Sequence, residues 1–316
     1  MQMKVASFFA GVGGIDSGFE KAGFKTTWAN EIDSYASQTF KSNFSCDLVV
    51  EDIKGIKIKE IPNFKIMIGG FPCQSFSLAG YRRGFDDERG NLFFELAKII
   101  EVKMPEIVFL ENVKNLVGHD NGNTFRVILD CLKDLGYKVR HKVLNACEYG
   151  NIPQNRERIY VIAFKDENVA NRFEFPDPIQ LTTKLSDVID FEGVKEDRYY
   201  YTEENCSFYN LLKEEMTKDT TIYQWRRIYV RENKSNVCPT LTANMGTGGH
   251  NVPLIKTSHG IRKLTPRECF NLQGFSKEFV LPSTLSNTRL YKQAGNSVAV
   301  PVIEILAKQI RKALKK

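Results

Sequence analysis

The stretch KVASFFAGVGGIDSGFEK, residues 4–21, joins a short apolar run, a glycine-rich turn and an amphipathic segment. Residues 4–8 have the pattern of a buried strand, and residues 15–21 have the apolar spacing of a helix with one buried face. A glycine-rich turn that leaves a strand and opens a helix brings backbone amides close to a bound cofactor. This turn lacks the full dinucleotide-binding spacing and the lysine of a P-loop, so a plain tight connection is the alternative interpretation.

The alternation of strand and helix patterns continues to about residue 164. The sequence predicts further strands at 25–29, 47–50, 65–68, 107–110, 138–144 and 159–164, and further helices at 34–43, 92–102 and 124–135. Short apolar runs separated by amphipathic helices are typical of a parallel sheet covered by helices. We therefore predict an α/β fold for this region.

A chain of 316 residues with 42% hydrophobic content is long enough for two domains. After FPDP at 175–178 the alternation fades, and the following hundred or so residues are richer in Asn, Thr and Tyr and have no clear period. Residues 300–314 again have helical apolar spacing. We predict a first domain at 1–180, a smaller, irregular domain at 181–289, and a C-terminal segment at 290–316 that returns to the first domain.

Composition narrows the class of protein. No apolar run approaches membrane-spanning length, and the N-terminus has no secretion signal, which predicts a cytoplasmic protein that does not bind membranes. The seven cysteines form no CxxC pair and are odd in number, which favours neither a disulfide framework nor a zinc site. A formal charge of +6 permits binding to a polyanion without requiring it.

The segment GGFPCQSFS, residues 69–77, places Cys73 behind a proline in a polar loop after the fourth predicted strand. Ligands of open α/β sheets bind at the carboxyl ends of the strands. Most free cysteines are small buried apolar residues, and that is the alternative interpretation here. The polar neighbours favour a reactive thiol, and the charged loop at 80–90, with glycines at both ends, is typical of a mobile lid.

Acidic residues follow three other predicted strands at the same edge of the sheet. Glu31 follows the second strand, where a carboxylate commonly receives ribose hydroxyls, and Asp52 follows the third, near the expected position of an adenine edge. Glu111 follows the strand at 107–110, where loss of hydration should raise its pKa and make it a proton donor near neutral pH. Solvated, capping or salt-bridging acids are the alternative in each case.

Several motifs occur in a characteristic order along the chain. They are FFAGVGG at 8–14, the acids at 31 and 52, GFPCQSFSLAG at 70–80, RGNLFFELAKII at 89–100, FLENV at 109–113, QNRER at 154–158, RKLTPREC at 262–269 and YKQAGNSV at 291–298. Each is a modest signal, but together and in this order they leave little room for chance. The chain closely resembles the DNA cytosine methyltransferases that modify carbon 5 of the base.

The resemblance implies a Rossmann-like, S-adenosyl-L-methionine-dependent methyltransferase domain. The cofactor residues of the family correspond to Phe9, Gly11, Gly13, Glu31, Asp52, Ile53, Pro72, Leu92, Asn296 and Val298. Two positions depart from the family pattern. Ser7 stands where an acid is frequent, and Ile32 stands where an aromatic residue often packs on adenine, which predicts weaker cofactor binding without a change of reaction.

The resemblance also implies a mechanism with four catalytic residues. Cys73, as a thiolate, attacks carbon 6 of a cytosine that has swung out of the duplex, and Glu111 protonates and hydrogen-bonds nitrogen 3. Arg158, with Arg156, orients the base and backbone. Carbon 5 then takes the methyl group, a base removes its proton, and the thiol is expelled.

Residues 181–289 correspond to the target recognition domain of the family, which implies binding to a specific double-stranded DNA sequence. Candidate DNA contacts are Gln74, Ser75, Arg82, Arg83, Arg89, Gln224, Arg226, Arg227, Arg231, Thr242 and Gly248, with a solvated basic face as the alternative for each arginine. By resemblance we expect a monomer in the bacterial cytoplasm that protects DNA from a cognate restriction endonuclease.

Two other functions stay open on the sequence. One branch of the family uses the same catalytic motifs on transfer RNA, although the long basic recognition region favours DNA. An inactive DNA-binding regulator is the second alternative, which the presence of Cys73, Glu111 and Arg158 speaks against.

Overall fold

A computed structural model of the chain describes residues 3–72, 92–226, 228–247 and 251–315. Their contacts form two compact units. The first unit comprises residues 1–144, 157–177 and 302–316, and the second comprises residues 145–156 and 178–301. The second unit thus contains residues 145–156 and 290–301, which the sequence-based division assigned elsewhere. No helix in the described ranges has the length and apolar content to cross a membrane.

The first unit is built on a sheet of seven described strands in the order β3-β2-β1-β4-β5-β8-β6. The strands are β1 (Lys4–Phe8), β2 (Lys25–Asn30), β3 (Asp47–Val49), β4 (Ile66–Gly70), β5 (Ile107–Val113), β6 (Lys138–Asn145) and β8 (Glu157–Phe164), and β7 (Gln154–Asn155) belongs to the second unit. Its helices are α1 (Gly14–Lys21), α2 (Ser34–Lys41), α3 (Leu92–Lys103), α4 (Asn123–Asp134) and α6 (Glu167–Arg172). The predicted α/β, Rossmann-like fold is confirmed.

Strand direction departs from the prediction at one place. β1 pairs in parallel with β2 and β4, β2 with β3, and β4 with β5, but β8 runs antiparallel to β5. The prediction of an entirely parallel sheet is therefore wrong at β8. Residues 159–164 are an unbroken apolar run because they are buried on both faces of the sheet, and such a run has the same appearance in either direction.

The core of the first unit lies on both faces of this sheet. Phe8 is fully buried, and its ring lies 5.2 Å from Trp28 and 6.0 Å from Phe64. On α1, a Cβ added to Gly18 would lie 2.5 Å from Cβ of Ile303, so α1 and the C-terminal helix α10 (Val300–Leu314) approach closely. Arg311 of the same helix donates to the carbonyl of Ala22 at 2.7 Å. These contacts fix the helix that carries the glycine-rich turn.

The second unit contains short elements. A four-stranded sheet has the order β10-β9-β12-β13, and β7 pairs in parallel with β11. The strands are β9 (Tyr223–Trp225), β10 (Val230–Glu232), β11 (Cys238–Pro239), β12 (Leu254–Thr257) and β13 (Gly260–Lys263). The helices are α5 (Ala146–Tyr149), α7 (Tyr209–Glu215), α8 (Pro266–Asn271) and α9 (Asn287–Asn296). The region without a clear period therefore contains a sheet, and its strands of three or four residues are too short to show alternation.

A buried ion pair orders the end of that sheet. Arg262 is fully buried and donates to both carboxylate oxygens of Glu268, at 2.8 and 2.7 Å. The same carboxylate accepts from the backbone N–H of Thr265 at 2.7 Å, and the Thr265 hydroxyl accepts from the N–H of Glu268, which caps α8. One carboxylate thus joins β13 to the start of a helix.

Candidate active site

Polar residues meet at the carboxyl edge of the first unit's sheet. β2, β1, β4 and β5 are consecutive neighbours in the sheet and parallel, so their carboxyl ends lie side by side. In this order they lead to Glu31, the glycine-rich turn, Gly70 and Glu111. The structure therefore brings Glu31, the glycine-rich turn and Glu111 to one edge of the sheet in the first unit.

The glycine-rich turn adopts backbone angles that explain its composition. Phe9, Gly11 and Gly13 have φ values of 53°, 56° and 86°, in the left-handed region that favours glycine. A Cβ added to Gly13 would lie 2.1 Å from the Phe44 ring, whereas one added to Gly11 would meet nothing within 4 Å. The turn therefore packs on the protein at Gly13 and leaves open space beside Gly11, where a ligand can approach the backbone.

Glu31 is held by this turn. Its carboxylate accepts from the backbone N–H of Gly11 and from that of Asp33, both at 2.7 Å, one on each oxygen. Burial raises the pKa of Glu31, and hydrogen bonds from the backbone N–H groups of Asp33, Gly11 and Ile32 oppose that rise. Each carboxylate oxygen keeps a lone pair for a further donor. A fixed carboxylate with spare acceptors suits the two hydroxyl groups of a ribose.

Replacing Glu31 tests that arrangement. In Glu31→Gln one carboxylate oxygen becomes an amide nitrogen that faces a backbone N–H, so one of the two hydrogen bonds is lost and two donors oppose each other. The ribose hydroxyls also lose a charged acceptor, and a hydrogen bond to a charged group contributes about 1.5–3 kcal/mol, so we expect Kd for S-adenosyl-L-methionine to rise roughly 10-fold or more. Titration calorimetry measures this, with the exposed neighbour Glu51→Gln as control. An unchanged Kd would contradict a binding role for Glu31.

The third strand leads to Asp52, which is exposed. Its carboxylate accepts from the backbone N–H of Lys54 at 3.0 Å and caps a short 3-10 helix at Ile53–Gly55, while Ile53 is buried in the core. Ile32 and Val50 follow the neighbouring ends of β2 and β3, and their side chains are 60% and 41% exposed. An apolar surface is therefore available next to the polar groups even though an isoleucine replaces the family's aromatic residue.

Asp16 is an acid that the sequence analysis missed. It is fully buried on α1 and accepts hydrogen bonds from the hydroxyls of Ser7, at 3.0 Å, and Thr26, at 2.9 Å. Burial raises its pKa from 3.8 to about 7. Ser7 thus donates a hydrogen bond to the buried carboxyl group of Asp16. An acid at position 7, which is frequent in the family, would place a second carboxyl group against it. An acid at the centre of the apolar face of residues 15–21 was the signal that could have revealed it.

The raised pKa of Asp16 predicts a pH-dependent stability. Because the folded-state value of about 7 exceeds the unfolded value of 3.8, this group's contribution is complete below about pH 4 and is lost as the pH rises through 7. Asp16→Asn resembles the protonated acid, so the free energy of unfolding should fall less between pH 5.5 and 8 than in the parent. Urea unfolding at both pH values measures this, with the exposed Asp130→Asn as control. If the free energy of unfolding falls equally between the two pH values in Asp16→Asn and in the parent, the raised pKa of Asp16 is contradicted.

Glu111 and Arg158 form an ion pair at the end of the sheet. The Nε of Arg158 lies 3.0 Å from Oε1 of Glu111, and the two side chains are only 13% and 11% exposed. Arg158 stands opposite Val113, two residues along from the partner of Glu111, so both side chains lie on one face.

The carboxylate also lies against the strand that leads to Cys73. Gly70 pairs with Glu111 in register, and a Cβ added to Gly70 would lie 3.1 Å from Oε2 of Glu111. Asn112 donates from its side chain to the carbonyl of Phe71 at 2.8 Å and ties the ends of β4 and β5 together. Glu111 is therefore beside the strand end that precedes Cys73 by three residues.

Several predicted site residues lie outside the described ranges. These are Cys73, Gln74, Ser75, Arg82, Arg83, Arg89, Arg227 and Gly248. Of the predicted cofactor residues that border the gap at 73–91, Pro72 is exposed and Leu92 begins α3. In the second unit, Asn296 is exposed at the end of α9, Val298 is buried, and Thr242 precedes a 3-10 turn at Ala243–Gly246.

Arg156 belongs to the second unit and is almost fully buried. Its guanidinium donates to the carbonyls of Leu241 at 2.9 Å, of Gly295 at 3.0 Å, and of Ser297. These contacts join three backbone segments of that unit. They give Arg156 a positioning part within the second unit, and the orientation of the base that the resemblance implied for it stays a prediction.

The described residues hold no group of three or more His, Cys, Asp or Glu side chains that could bind a metal ion.

Comparison with known proteins identifies the family. The model of the C-5 cytosine-specific DNA methylase family matches residues 3–312. The chain belongs to this family. A type II methyltransferase, M.Bsp6I of Bacillus sp. (strain RFL6), is 60% identical over 314 residues, which cover 99% of each chain. M1.ScrFI of Lactococcus lactis subsp. cremoris, also a type II methyltransferase, is 39% identical, over 99% of this chain and 79% of its own.

The fold comparison agrees with the sequence comparison. The crystal structure of a DNMT2 mutant of Spodoptera frugiperda superimposes with a TM-score of 0.75 and covers 98% of this chain and all of its own, at 20% identity. The protein is thus a cytosine-5 DNA methyltransferase of the restriction-modification type with a Rossmann-like methyltransferase fold, and the family predicted from the motifs is confirmed.

Proposed function

We propose that this DNA methyltransferase transfers the methyl group of S-adenosyl-L-methionine to carbon 5 of cytosine within one specific double-stranded DNA sequence. The observation that carries the proposal is the Glu111–Arg158 ion pair beside the strand end that precedes Cys73, with the glycine-rich turn and Glu31 on neighbouring strands. Its type II methyltransferase relatives support a restriction-modification setting. In that setting, methylation in the bacterial cytoplasm protects DNA from a cognate endonuclease, and the enzyme acts as a monomer.

The residues at the sheet edge fit the cofactor, which supplies an electrophilic methyl group when bound. The open space at Gly11 admits the ligand next to the backbone, and the fixed carboxylate of Glu31 has acceptors for ribose hydroxyls. Ile32 offers an apolar surface for adenine, next to the exposed carboxylate of Asp52. The remaining proposed cofactor residues are Phe9, Gly13, Ile53, Pro72, Leu92, Asn296 and Val298.

The proposed chemistry begins with covalent addition. An aromatic pyrimidine does not accept an electrophile at carbon 5 until its conjugation is broken, and attack of the Cys73 thiolate on carbon 6 breaks it. Glu111 donates a proton or hydrogen bond to nitrogen 3, which takes up the electron pair displaced by the addition. Carbon 5 would then bond to the methyl group as the bond from the methyl carbon to the sulfonium sulfur breaks and leaves its electron pair on the sulfur. Loss of the carbon 5 proton to a base expels the Cys73 thiolate and restores the aromatic ring.

Within this scheme the described contacts give Arg158 a clear part. It holds one oxygen of Glu111 at 3.0 Å, which fixes the carboxyl group beside Gly70 in the orientation that we propose for contact with the base. A stacked cytosine hides carbon 6 from any thiol, so the target base must leave the duplex, at a cost of a few kcal/mol. Contacts from Gln74, Ser75, Arg82, Arg83 and Arg89 and from the second unit offset that cost in our proposal.

Bisulfite sequencing of plasmid DNA from cells that express the protein tests the proposal. We expect unconverted cytosines at one position of one sequence motif, and none in cells that express Cys73→Ser. The same plasmid should resist at least one endonuclease of a commercial panel whose site contains that motif. Methylation of transfer RNA without methylation of DNA would contradict the proposal, as would a plasmid without protected cytosines.

A further inference from the structure

A polar cavity of about 540 Å³ lies within the second unit. Guanidinium, amide and hydroxyl groups dominate its lining, and none of the described residues that line it is acidic. The residues that matter here are Gln224, Arg226, Arg231, Asn233, Asn155 and Thr242. The arginines supply donors, and the amides and hydroxyls supply both donors and acceptors, so the cavity suits a ligand that carries both kinds of hydrogen-bonding group.

The strand pair β9–β10 aims two of these side chains into the cavity. Arg231 stands directly opposite Gln224 in the antiparallel register. The alternate positions Tyr223 and Val230 are buried in a core cluster on the other face of the strands. Since successive side chains of a strand point to opposite faces, Gln224 and Arg231 face away from that cluster and towards the cavity.

The other face of the strand pair is firmly anchored. Trp225 stacks on Phe208 with ring centroids 4.1 Å apart and an interplanar angle of 5°. Glu232 accepts from Lys218 at 2.7 Å. The pair Gln224 and Arg231 is therefore presented by a backbone that packing and an ion pair hold in place.

These two side chains are not engaged with the protein. Within the described ranges neither Gln224 nor Arg231 has a side-chain hydrogen bond or ion pair, and Arg231 is exposed. By contrast, the arginines at 156, 198 and 262 of the same unit all bind protein carbonyls or carboxylates. The donors of Gln224 and Arg231 are thus available to an external ligand.

We propose that Arg231 reads a guanine of the recognition sequence in the major groove and that Gln224 contacts the edge of the same or the adjacent base pair. This inference rests on the function proposed above. A two-stranded ribbon fits the major groove, and an arginine donates two hydrogen bonds to O6 and N7 of guanine. Opposite side chains of an antiparallel pair have Cβ atoms about 5 Å apart, so both can reach one base pair or two adjacent base pairs, which stack about 3.4 Å apart.

The surroundings favour a base contact over a phosphate contact for Arg231. A phosphate requires only a positive charge on an accessible surface, and it carries no sequence information. Arg231 instead stands beside an amide side chain in a recess lined by Asn155, Asn233 and Thr242. Those three side chains are hydrogen-bonded within the protein and shape the recess, so that Gln224 and Arg231 together present the donors and the acceptor that a base edge can match.

Sequencing of 5-methylcytosine in a random DNA library treated with each variant tests the assignment. The parent should give one motif. In Arg231→Ala the preference for guanine at one position of the motif should fall roughly 5- to 150-fold, because one bidentate contact is worth about 1–3 kcal/mol of discrimination. Gln224→Ala should relax that position or the adjacent one. Arg198→Ala is the control, since Arg198 pairs with Glu196 outside the cavity, and it should leave the motif unchanged.

Arg231→Lys separates the two kinds of contact. Lysine keeps the charge that a phosphate contact needs but lacks the bidentate donor pair, so we expect the motif to relax as it does in Arg231→Ala. Where turnover is too slow for sequencing, binding to duplexes that carry each of the four bases at each guanine position replaces it. An unchanged motif, or an equal loss of binding to all duplexes, overturns the assignment. Absence of 5-methylcytosine with the parent overturns the proposed function and the assignment together.

Discussion

Glu111→Gln is expected to lower kcat for DNA methylation roughly 10²- to 10⁴-fold, the range usual for loss of a general acid. Glutamine fills the same space between Gly70 and Arg158 but cannot deliver a proton to nitrogen 3. The fold should survive, because the change is isosteric and Glu111 lies near the carboxyl end of β5. Single-turnover methyl transfer to duplex DNA measures kcat, and thermal unfolding checks the fold.

The partner arginine gives this prediction a second test. Because Arg158 acts through the carboxylate that it holds at 3.0 Å, the double variant Glu111→Gln/Arg158→Lys should lose about as much activity as Glu111→Gln alone. If the activity loss of the double variant equals the product of the losses of the two single variants, the residues act independently, which would contradict the assignment.

The first unit offers a matched control for both variants. Lys114 and Glu157 form an ion pair at 2.8 Å near the ends of the same two strands, but their side chains are 52% and 40% exposed. Exposed pairs of this kind contribute about 1 kcal/mol or less. Glu157→Gln should therefore leave kcat within about twofold of the parent.

Gly295→Ala is expected to destabilise the protein by about 3 kcal/mol or more, or to prevent recovery of folded protein. The added Cβ would lie 2.1 Å from the carbonyl carbon of Thr242 and 2.5 Å from the backbone N of Ala243. Both neighbours are backbone atoms, which cannot turn aside as a flexible side chain can. Alanine favours a helix over glycine by about 1 kcal/mol, so an observed loss of stability must come from the clash.

Gly295 lies on α9, and a second glycine, Gly246, lies in the turn that α9 contacts. A Cβ added to Gly246 would lie 2.7 Å from Cα of Thr288, so α9 and the turn at Ala243–Gly246 approach each other through both glycines. Arg156 then binds the carbonyls of Leu241 and Gly295, one on each side of this contact. The second unit thus depends on close backbone packing at a motif that the family resemblance assigned to the cofactor site.

Urea unfolding of Gly295→Ala and of Gly118→Ala measures the effect. Gly118 has a φ of −96° and nothing within 4 Å of an added Cβ, so its alanine variant should unfold within about 0.5 kcal/mol of the parent. If Gly295→Ala unfolds at the same urea concentration as Gly118→Ala, the close approach of Gly295 to the backbone of Thr242 and Ala243 is contradicted.

The sequence predicted those features that depend on local pattern. Apolar runs located the strands of the first unit within a few residues, and strand-end acids such as Glu31 and Glu111 were placed correctly at one sheet edge. The direction of β8 could not be predicted, because a strand buried on both faces has no alternation and no direction in its composition. The strands of the second unit escaped notice because two to four residues carry too little periodicity.

Contacts between distant residues were the other limit. The QNRER motif suggested that Arg156 and Arg158 act alike, whereas the structure gives Arg156 three carbonyl partners and Arg158 a carboxylate. Nothing in the local sequence distinguishes them, since their partners lie up to 141 positions away. Asp16 was hidden for the same reason, because the hydroxyls that bind it come from two different strands.

Trapping of a covalent complex tests the central claim, that Cys73 bonds to carbon 6 of the target cytosine. A duplex that carries the motif recognised by the enzyme, with 5-fluorocytosine in place of the target cytosine, is incubated with enzyme and S-adenosyl-L-methionine. The mixture is then analysed on a denaturing gel. A base removes the hydrogen at carbon 5 as a proton, but it cannot remove a fluorine in that position, so the covalent adduct persists. The parent should therefore give a protein–DNA complex that survives denaturation, and Cys73→Ser should give none. A parent that forms no such complex while it methylates the unmodified duplex, or a Cys73→Ser enzyme that methylates as fast as the parent, would contradict the account.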